Sequence, residues 1–505
     1  MSSPVSRQPR RRRRLPTLVL AAALGGCAVG PDYHTPEAPA DARLTEAPLP
    51  IQTVSAATAV GTAQRLEVGR DIPGEWWTLF RSPQVTALVR QALAASPSLT
   101  AAQASLRQAL ENVRAGQGAL FPQIGASVQA QRQQASLAAF GLGSGTATFS
   151  LISGSVNVSY TLDAFGGVRR QIEQLNAQAE YQRFELEATA LTLVANVVTT
   201  AITEASLQAQ IDIVRDIIKA YTEALHLMQQ RFELGGVSQV DVLQQQALLD
   251  ARVATLPGLQ KQLQQTRNQL AVLLGGRPAQ YATPTLKLND LTLPRDLPVS
   301  LPSKLVAQRP DIQAYGALLH AAYAGVGIAT ANMLPQISLT GSLGREGTDL
   351  SNVFTPSGLV WSIASSLTQP IFQGGTLSAR RRAGKPALEV AAAQYSGTVN
   401  VAFQNVADAL EAIQRDAEAL RAALAAEKTT SASLAMALSQ YQAGAGSYLS
   451  VLTSEQVEYT ARLNVLTAQA ARFTDTVALF QALGGGWWNR DDIDPKIAQC
   501  CGVLP

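Results

Sequence analysis

The chain has 505 residues, of which 47% are hydrophobic, 6% aromatic and 15% charged, and its formal net charge is +3. This length exceeds one ordinary domain, and a mixture rich in alanine, glutamine and leucine is typical of long helices packed through small side chains. Since the net charge is small and the basic residues concentrate at the N-terminus, a nucleic-acid surface is excluded and no nucleic-acid partner is expected.

The N-terminus has the pattern of a secretory signal peptide. A basic block, Arg10–Arg14, precedes a short apolar stretch that ends in Gly25-Gly26-Cys27. The stretch is too short to span a bilayer as a helix. Its last residues are similar to a bacterial lipobox, although a chance small-small-Cys sequence is the alternative. We therefore expect a signal peptide over residues 1–26, a lipid on Cys27 and a lipidated N-terminal segment over residues 27–75.

Two similar halves follow along the chain. Leu120-Phe121-Pro122-Gln123-Ile124 recurs as Met333-Leu334-Pro335-Gln336-Ile337, and the residues around Gly235 recur around Gly444. A repeat of about 210 residues is too long for a solenoid unit and indicates a duplication. In the first half, residues 76–122 are expected to form periplasmic helices.

Each half then contains a pair of segments in which apolar and small polar residues alternate. We expect transmembrane β-hairpins over residues 123–163 and 336–369, because alternation with period two gives a sheet one apolar and one hydroxylated face. Each strand is expected to span about 9–11 residues, the length that crosses a bilayer when tilted, with about twenty loop residues inside the first pair. An ordinary half-buried sheet is the alternative.

Four strands cannot close a barrel, and open edges in lipid would leave backbone groups unpaired. The chain must therefore oligomerise if these strands cross a membrane. Physical reasoning alone permits assemblies of two, three or four chains.

Each half also contains a long helical hairpin, expected over residues 168–274 and 376–483. Apolar residues recur in alternate steps of four and three, which is typical of a coiled-coil seam. The breaks at Gly235-Gly236 and Gly444-Ala445-Gly446 predict turns, with Ser238 and Ser447 as N-caps. Pro257 is expected to interrupt or kink the first return helix. A plain coiled-coil spacer is the alternative interpretation.

Several short segments now identify a resemblance. The chain resembles the TolC-like outer membrane factors, in the lipoprotein branch called NodT or OprM-like. The segments that carry this resemblance are Cys27-Ala28-Val29-Gly30-Pro31-Asp32-Tyr33, Trp76-Trp77, Ser96-Pro97-Ser98-Leu99, Leu162-Asp163-Ala164-Phe165-Gly166, Gln369-Pro370-Ile371-Phe372 and Ala482-Leu483-Gly484-Gly485-Gly486-Trp487.

This resemblance implies a mixed, mainly α fold built from two repeated halves. Three chains would form a twelve-stranded transmembrane β-barrel, four strands from each, that continues into a long α-helical coiled-coil barrel. Residues 275–335 would form an equatorial connection and the helices of the second half, and residues 484–505 a C-terminal tail. The resemblance further implies a homotrimer in the outer membrane lipid of a Gram-negative bacterium. A periplasmic adaptor protein and an inner-membrane pump of the resistance-nodulation-division type would be its partners.

The resemblance also places residues at a periplasmic tip that closes the duct. The tip and its adaptor contact correspond to Gly235-Gly236-Val237-Ser238 and Gly444-Ala445-Gly446-Ser447. The aperture corresponds to Asp241, Tyr441, Ser450 and Thr453. Many relatives carry aspartates at the last two positions, so Asp241 and Glu455 are the candidate substitutes here. A solvated acid at a helix N-terminus is the alternative interpretation of Asp241.

No residue pattern indicates an enzyme, a metal site or a cofactor. The three histidines, His34, His226 and His320, are far apart in the chain, and no phosphate-binding glycine loop opens a helix. The expected function is passive conduction of drugs or other toxic small molecules. The alternatives are an outer membrane duct for type I protein secretion, a non-conducting coiled-coil surface lipoprotein and a secreted hydrolase, against which the missing acid, base and nucleophile argue.

Overall fold

The computed structural model describes residues 28–37, 44–45, 50–136, 138, 141, 143–280 and 286–490. The predicted signal peptide, Cys27 and residues 491–505 lie outside this range. The chain divides into two units. The first contains the described residues up to Thr35 together with Arg107–Glu180 and Gly316–Gln394, and the second contains the rest.

The secondary structure is mainly helical. The strands are β1 (Arg65–Val68), β2 (Gln123–Ser136), β3 (Thr146–Leu162), β4 (Asp296–Val299), β5 (Gln336–Gly347) and β6 (Leu359–Thr368). The principal helices are α1 (Pro83–Ala95), α2 (Pro97–Gln117), α3 (Gly167–Glu233), α4 (Gln239–Leu273), α5 (Pro302–Gln308), α6 (Pro310–Ala331), α7 (Thr376–Gln442) and α8 (Tyr448–Ala482).

The first unit contains one antiparallel sheet in the order β2-β3-β5-β6. Its register places Ala126, Val156, Leu343 and Trp361 in one row across all four strands. Since every second residue of a strand shares a face, the apolar residues of both halves lie on the same side of the sheet. The predicted strands are confirmed in both halves.

The first hairpin is longer than predicted. β2 has 14 residues and β3 has 17, so much of the expected loop is strand. Polar side chains stabilise this extension, because Gln134 Nε2 donates to Thr146 Oγ1 at 2.7 Å at the far end of the hairpin. Polar residues can pair across strands as apolar residues do, and a search for apolar alternation does not detect them.

The helical hairpins confirm the duplication. The helices α3 and α7 each have 67 residues, and the return helices α4 and α8 each have 35. The predicted turns lie between them. The expected interruption at Pro257 is wrong, because α4 continues through this residue, whereas the expected kink stays a prediction. Its neighbours Leu256 and Leu259 pack against the buried residues of the hairpin, and this contact holds the helix where one backbone hydrogen bond is missing.

The second unit holds the largest apolar core. Trp76, Phe80, Phe473 and Phe480 are all almost fully buried there, and the rings of Trp76 and Phe480 stack at 5.2 Å. In this unit β1 pairs with β4 in parallel. The core thus joins the Trp76-Trp77 motif, near the N-terminus, to the last long helix.

One helix among the described residues, α3, contains a window of 18 residues with a mean hydropathy of 1.4. Length and composition alone would allow such a window to cross a membrane. However, 61% of it is buried inside the protein, as in the core helix of a folded domain.

Candidate functional site

Two helix turns of the second unit have the same construction. Gly235 (φ +73°) lies in the turn after α3, and Gly444 (φ +72°) occupies the same place after α7. A left-handed backbone of this kind favours glycine. The predicted N-caps are confirmed, because the Ser238 side chain accepts from the Asp241 amide and the Ser447 side chain accepts from the Ser450 amide. These bonds satisfy amides that a helix start leaves free.

A chain of contacts joins the two helical hairpins near their turns. Arg231 Nη1 donates to Tyr441 Oη at 3.3 Å, and the ring of Tyr441 lies 5.2 Å from that of Tyr448. The Tyr448 hydroxyl donates to Gln245 Oε1 at 2.8 Å, and Gln245 Nε2 donates to the Tyr221 carbonyl oxygen at 3.1 Å. Gln245 is fully buried, so both of its bonds are shielded from water. The bond from Tyr448 joins the second helical hairpin to the first, and the bond to Tyr221 joins the two helices of the first hairpin.

Two of the five predicted aperture residues, Asp241 and Thr453, have side-chain hydrogen bonds within their own helix or to its N-cap. Asp241 Oδ2 accepts from the Ser238 amide at 3.0 Å and from the Ser238 hydroxyl at 2.7 Å, which completes a capping box. Thr453 Oγ1 donates to the Leu449 carbonyl oxygen at 2.8 Å. The carboxylate of Asp241 therefore has a local structural partner, as the alternative interpretation predicts.

Glu455 is the aperture candidate with the most unusual surroundings. Burial, together with the nearby Glu458 carboxylate, raises the pKa of Glu455 to about 7. Its Oε2 atom and the Nε atom of Arg252 are buried without a hydrogen-bond partner among the described residues. The Arg252 guanidinium lies over the ring of Tyr459, at 4.1 Å from its centroid. A buried polar atom without a hydrogen-bond partner is unfavourable, so each of these two side chains costs stability where it lies.

Sequence reasoning missed Gln245 and Arg252. Both occur at seam positions of α4, since steps of three and four lead back from Leu256 through Arg252 and Leu249 to Gln245. A polar residue in an apolar seam was the signal that could have identified them. Arg231 carried no comparable signal.

The sheet presents two chemically different faces. On one face Val128, Ile363 and Trp361 are exposed, the first two by more than four-fifths of their surface. On the other face hydroxyl groups pair across the strands. These pairs are Ser127 with Ser155 at 3.2 Å, Ser338 with Ser366 at 2.7 Å and Ser342 with Ser362 at 2.8 Å. Exposed apolar side chains across a whole sheet require a partner other than water.

The residues that follow the predicted lipidation position are held firmly in the first unit. Arg170 is buried and donates to Asp32 Oδ1 at 2.6 Å and to the Val29 carbonyl oxygen at 3.2 Å. The hydrogen bond from Arg170 lowers the pKa of Asp32. The ring of Tyr33 stacks on that of His320 at 4.4 Å.

Comparison with known proteins agrees with this architecture. The toluene efflux pump outer membrane protein TtgC of Pseudomonas putida is 31% identical over 474 residues, which are 94% of this chain and 95% of TtgC. The antibiotic efflux pump outer membrane protein ArpC of Pseudomonas putida is also 31% identical, over 94% of this chain and 95% of ArpC. The structure of the outer-membrane channel OprN is similar, with a TM-score of 0.81 and 27% identity over 91% of this chain and 100% of that one.

The chain also matches the family described as outer membrane efflux protein, over residues 88–276 and 301–485. These two segments correspond to the two halves of the duplication and together span most of the chain. The resemblance drawn from the sequence motifs is confirmed. The chain therefore belongs to the outer membrane efflux protein family.

Proposed function

We propose that this protein is the outer membrane exit duct of a tripartite efflux system, through which small toxic molecules pass passively to the exterior. The observation that carries the proposal is the single four-stranded sheet, apolar on one face and hydroxylated on the other. A lipid-facing and a water-facing side are what a transmembrane barrel wall requires. The names of the relatives TtgC and ArpC state toluene efflux and antibiotic efflux. These names support small molecules as the transported substrates of this protein.

The open edges of the sheet support a homotrimer. Only β3 and β5 have neighbours on both sides, so β2 and β6 each leave one edge unpaired within the described part of the chain. A barrel in lipid has no open edges. Three copies would supply twelve strands, and twelve leave a passage where eight would be filled by side chains. We propose the transmembrane hairpins, the helical hairpins and the connecting segments at the boundaries given in the sequence analysis.

The remaining parts of the proposal concern the two ends of the duct. Signal-peptide cleavage after residue 26 would leave Cys27 as a lipidated N-terminus that supplements barrel insertion. The paired turns at Gly235–Ser238 and Gly444–Ser447 would contact a periplasmic adaptor, which links the duct to an inner-membrane pump. The contacts of Tyr441 and Gln245 would hold the helices in the closed arrangement.

Conductance in planar bilayers tests the proposal. Purified mature protein is expected to insert as a cross-linkable trimer of low conductance. The double substitution Tyr441→Ala and Gln245→Ala should raise the open probability, because it removes two hydrogen bonds between the helical hairpins. Gln264→Ala, which removes only a bond within α4, is the control. Trimers that insert but never conduct in either form would support the non-conducting lipoprotein instead.

A further inference from the structure

Four basic side chains lie near the start of α7 without an acidic partner. Arg380, Arg381, Arg382 and Lys385 are all exposed. No ion pair or hydrogen bond joins any of them to another residue in the described part of the chain. Lys385 lies three residues after Arg382 and four after Arg381, and like charges at these spacings on a helix repel each other. The described residues therefore do not neutralise the charge of this cluster.

The corresponding place in the first half is neutralised internally. There Arg169 Nε lies 3.1 Å from Asp163 Oδ2, and Arg170 pairs with Asp32 at 2.6 Å and with Glu173 at 2.8 Å. In the second half Pro370 occupies the position of Asp163, since Leu162-Asp163-Ala164-Phe165 corresponds to Gln369-Pro370-Ile371-Phe372. The starts of the two long helices thus differ in how their basic residues are neutralised, although Arg169 and Arg170 correspond to Ser378 and Ala379 and not to the basic residues themselves.

The position of the cluster along the chain indicates which anion it meets. The exposed apolar face continues to Leu367 at the end of β6, and Ile371 and Phe372 are then 94% and 85% exposed. At about 1.5 Å per residue, the four cations occupy the helix from about 6 to about 14 Å beyond Thr376. Along the chain, the apolar strand residues come first, the exposed Phe372 second and the four cations last. The hydrocarbon layer, the interface and the lipid headgroups of a membrane follow one another in the same order.

We propose that Arg380, Arg381, Arg382 and Lys385 form a binding surface for anionic phospholipid headgroups, in the leaflet that meets this end of the sheet. The inference rests on the proposed function, because it requires the sheet to cross the membrane. Arginine binds phosphate oxygens through two parallel hydrogen bonds, and lysine adds a compact charge. Four cations at an anionic surface give roughly a tenfold or greater preference for anionic over zwitterionic lipid, and salt weakens it.

Lipid retention tests this surface. Mature protein is reconstituted into phosphatidylcholine nanodiscs that contain a minor fraction of phosphatidylglycerol, and the lipid that remains after mild detergent extraction is quantified. The first variant combines Arg380→Gln, Arg381→Gln, Arg382→Gln and Lys385→Gln. The control combines Lys219→Gln, Lys261→Gln, Arg421→Gln and Lys428→Gln, which removes the same charge from exposed positions on the long helices.

We expect wild type and control to retain a larger fraction of phosphatidylglycerol than the nanodisc contains. In the first variant this enrichment should fall by at least about fivefold. Equal losses in the two variants, or no loss in the first, would overturn the lipid surface. A first variant that falls apart into monomers on cross-linking would show that the cluster contacts a second chain instead. Wild-type protein that conducts but has no lipid preference refutes this inference alone, whereas failure to insert refutes the proposed function as well.

Discussion

Glu455 is a carboxyl group placed where its charge is unfavourable. Burial and Glu458 raise its pKa from an ordinary value of 4.5 to about 7. The folded protein therefore holds this proton more tightly than the unfolded chain does. The contribution of this group to the free energy of unfolding is fully present below pH 4.5 and is lost as the pH rises through about 7. Tyr221 on α3 and Tyr448 on α8 face the same carboxylate. Burial first and the Glu455 charge second raise the pKa of Tyr221 to about 12, and they raise the pKa of Tyr448 in the same way.

Glu455→Gln should flatten this pH dependence. The thermal unfolding midpoint of wild type is expected to fall between about pH 5 and about pH 7.5, and that of the variant to fall less. The dependence will not vanish, because burial and the neighbouring Asp475 carboxyl raise the pKa of Asp416 in the same direction. Glu233→Gln, at an exposed acid beside the first turn, is the control. Equal slopes in all three proteins would contradict the assignment.

Asp241 shows how one residue supports two interpretations until its partner is known. The sequence allows an aperture acid or a helix-start acid, and in the structure Asp241 Oδ2 accepts both hydrogen bonds from Ser238 within a capping box. A carboxylate that accepts two hydrogen bonds from its own helix start is stabilised there by the helix dipole.

Asp241→Asn separates the two roles. If the carboxylate acts as a cap, the variant loses about 0.5–1 kcal/mol of stability and keeps the wild-type cation-to-anion selectivity, measured as a reversal potential. Asp216→Asn removes an exposed acid from α3 and serves as the reference. A clear shift of the reversal potential in Asp241→Asn alone would restore the aperture role.

Some features of the helices and strands follow from the local sequence, and others depend on contacts with residues far along the chain. Helix and strand positions follow from periodicity and from glycine and serine at the turns, so the hairpins lie where the sequence places them. The persistence of α4 through Pro257 does not follow locally, because packing of Leu256 and Leu259 offsets the lost hydrogen bond. The N-terminal segment is a further case, since it depends on Arg170, far along the chain.

Arg170→Ala should release that segment. Its side chain is buried, and the substitution removes the donor to the Val29 carbonyl oxygen and to the Asp32 carboxylate, while Glu173 keeps its contact with His320. We expect amide hydrogen exchange in residues 29–33 to accelerate by at least about tenfold, because hydrogen bonds to charged groups are the stronger ones. Arg169→Ala, at a more exposed ion pair, should leave exchange there near the wild-type rate. Equal acceleration in both variants would count against this role of Arg170.

For the molecule in its membrane, the two faces of the sheet predict opposite responses to charge. Ile363 lies on the apolar face and is 82% exposed, whereas the adjacent Ser362 lies on the hydroxylated face and contacts Ser342. In a transmembrane strand, arginine on the lipid side costs about 2–4 kcal/mol near the midplane, and arginine on the lumen side changes selectivity instead.

Ile363→Arg should therefore abolish or strongly reduce insertion, measured as heat-modifiable trimer in the membrane fraction. Ser362→Arg should insert at near the wild-type level and shift single-channel conductance. Both variants introduce arginine at adjacent positions of β6, so each variant is the control for the other. Equal insertion of the two variants would contradict the assignment of the faces.

The amino-acid sequence alone was sufficient to predict the family, the two repeated halves, the pairs of strands and helices, and the turns between them. Each of these features depends on local periodicity or on residues that stand side by side in the sequence, such as the glycines and serines of the two turns.

The contacts of the candidate site could be read only from the folded chain. Packing establishes that Gln245 links Tyr448 to Tyr221 and that Glu455 is buried. It also distinguishes Arg170, which is neutralised, from the basic residues at the start of α7, which have no ion pair with any residue that the structure describes. These contacts join residues far apart in sequence, and their energies depend on burial and on distance, which no local pattern encodes.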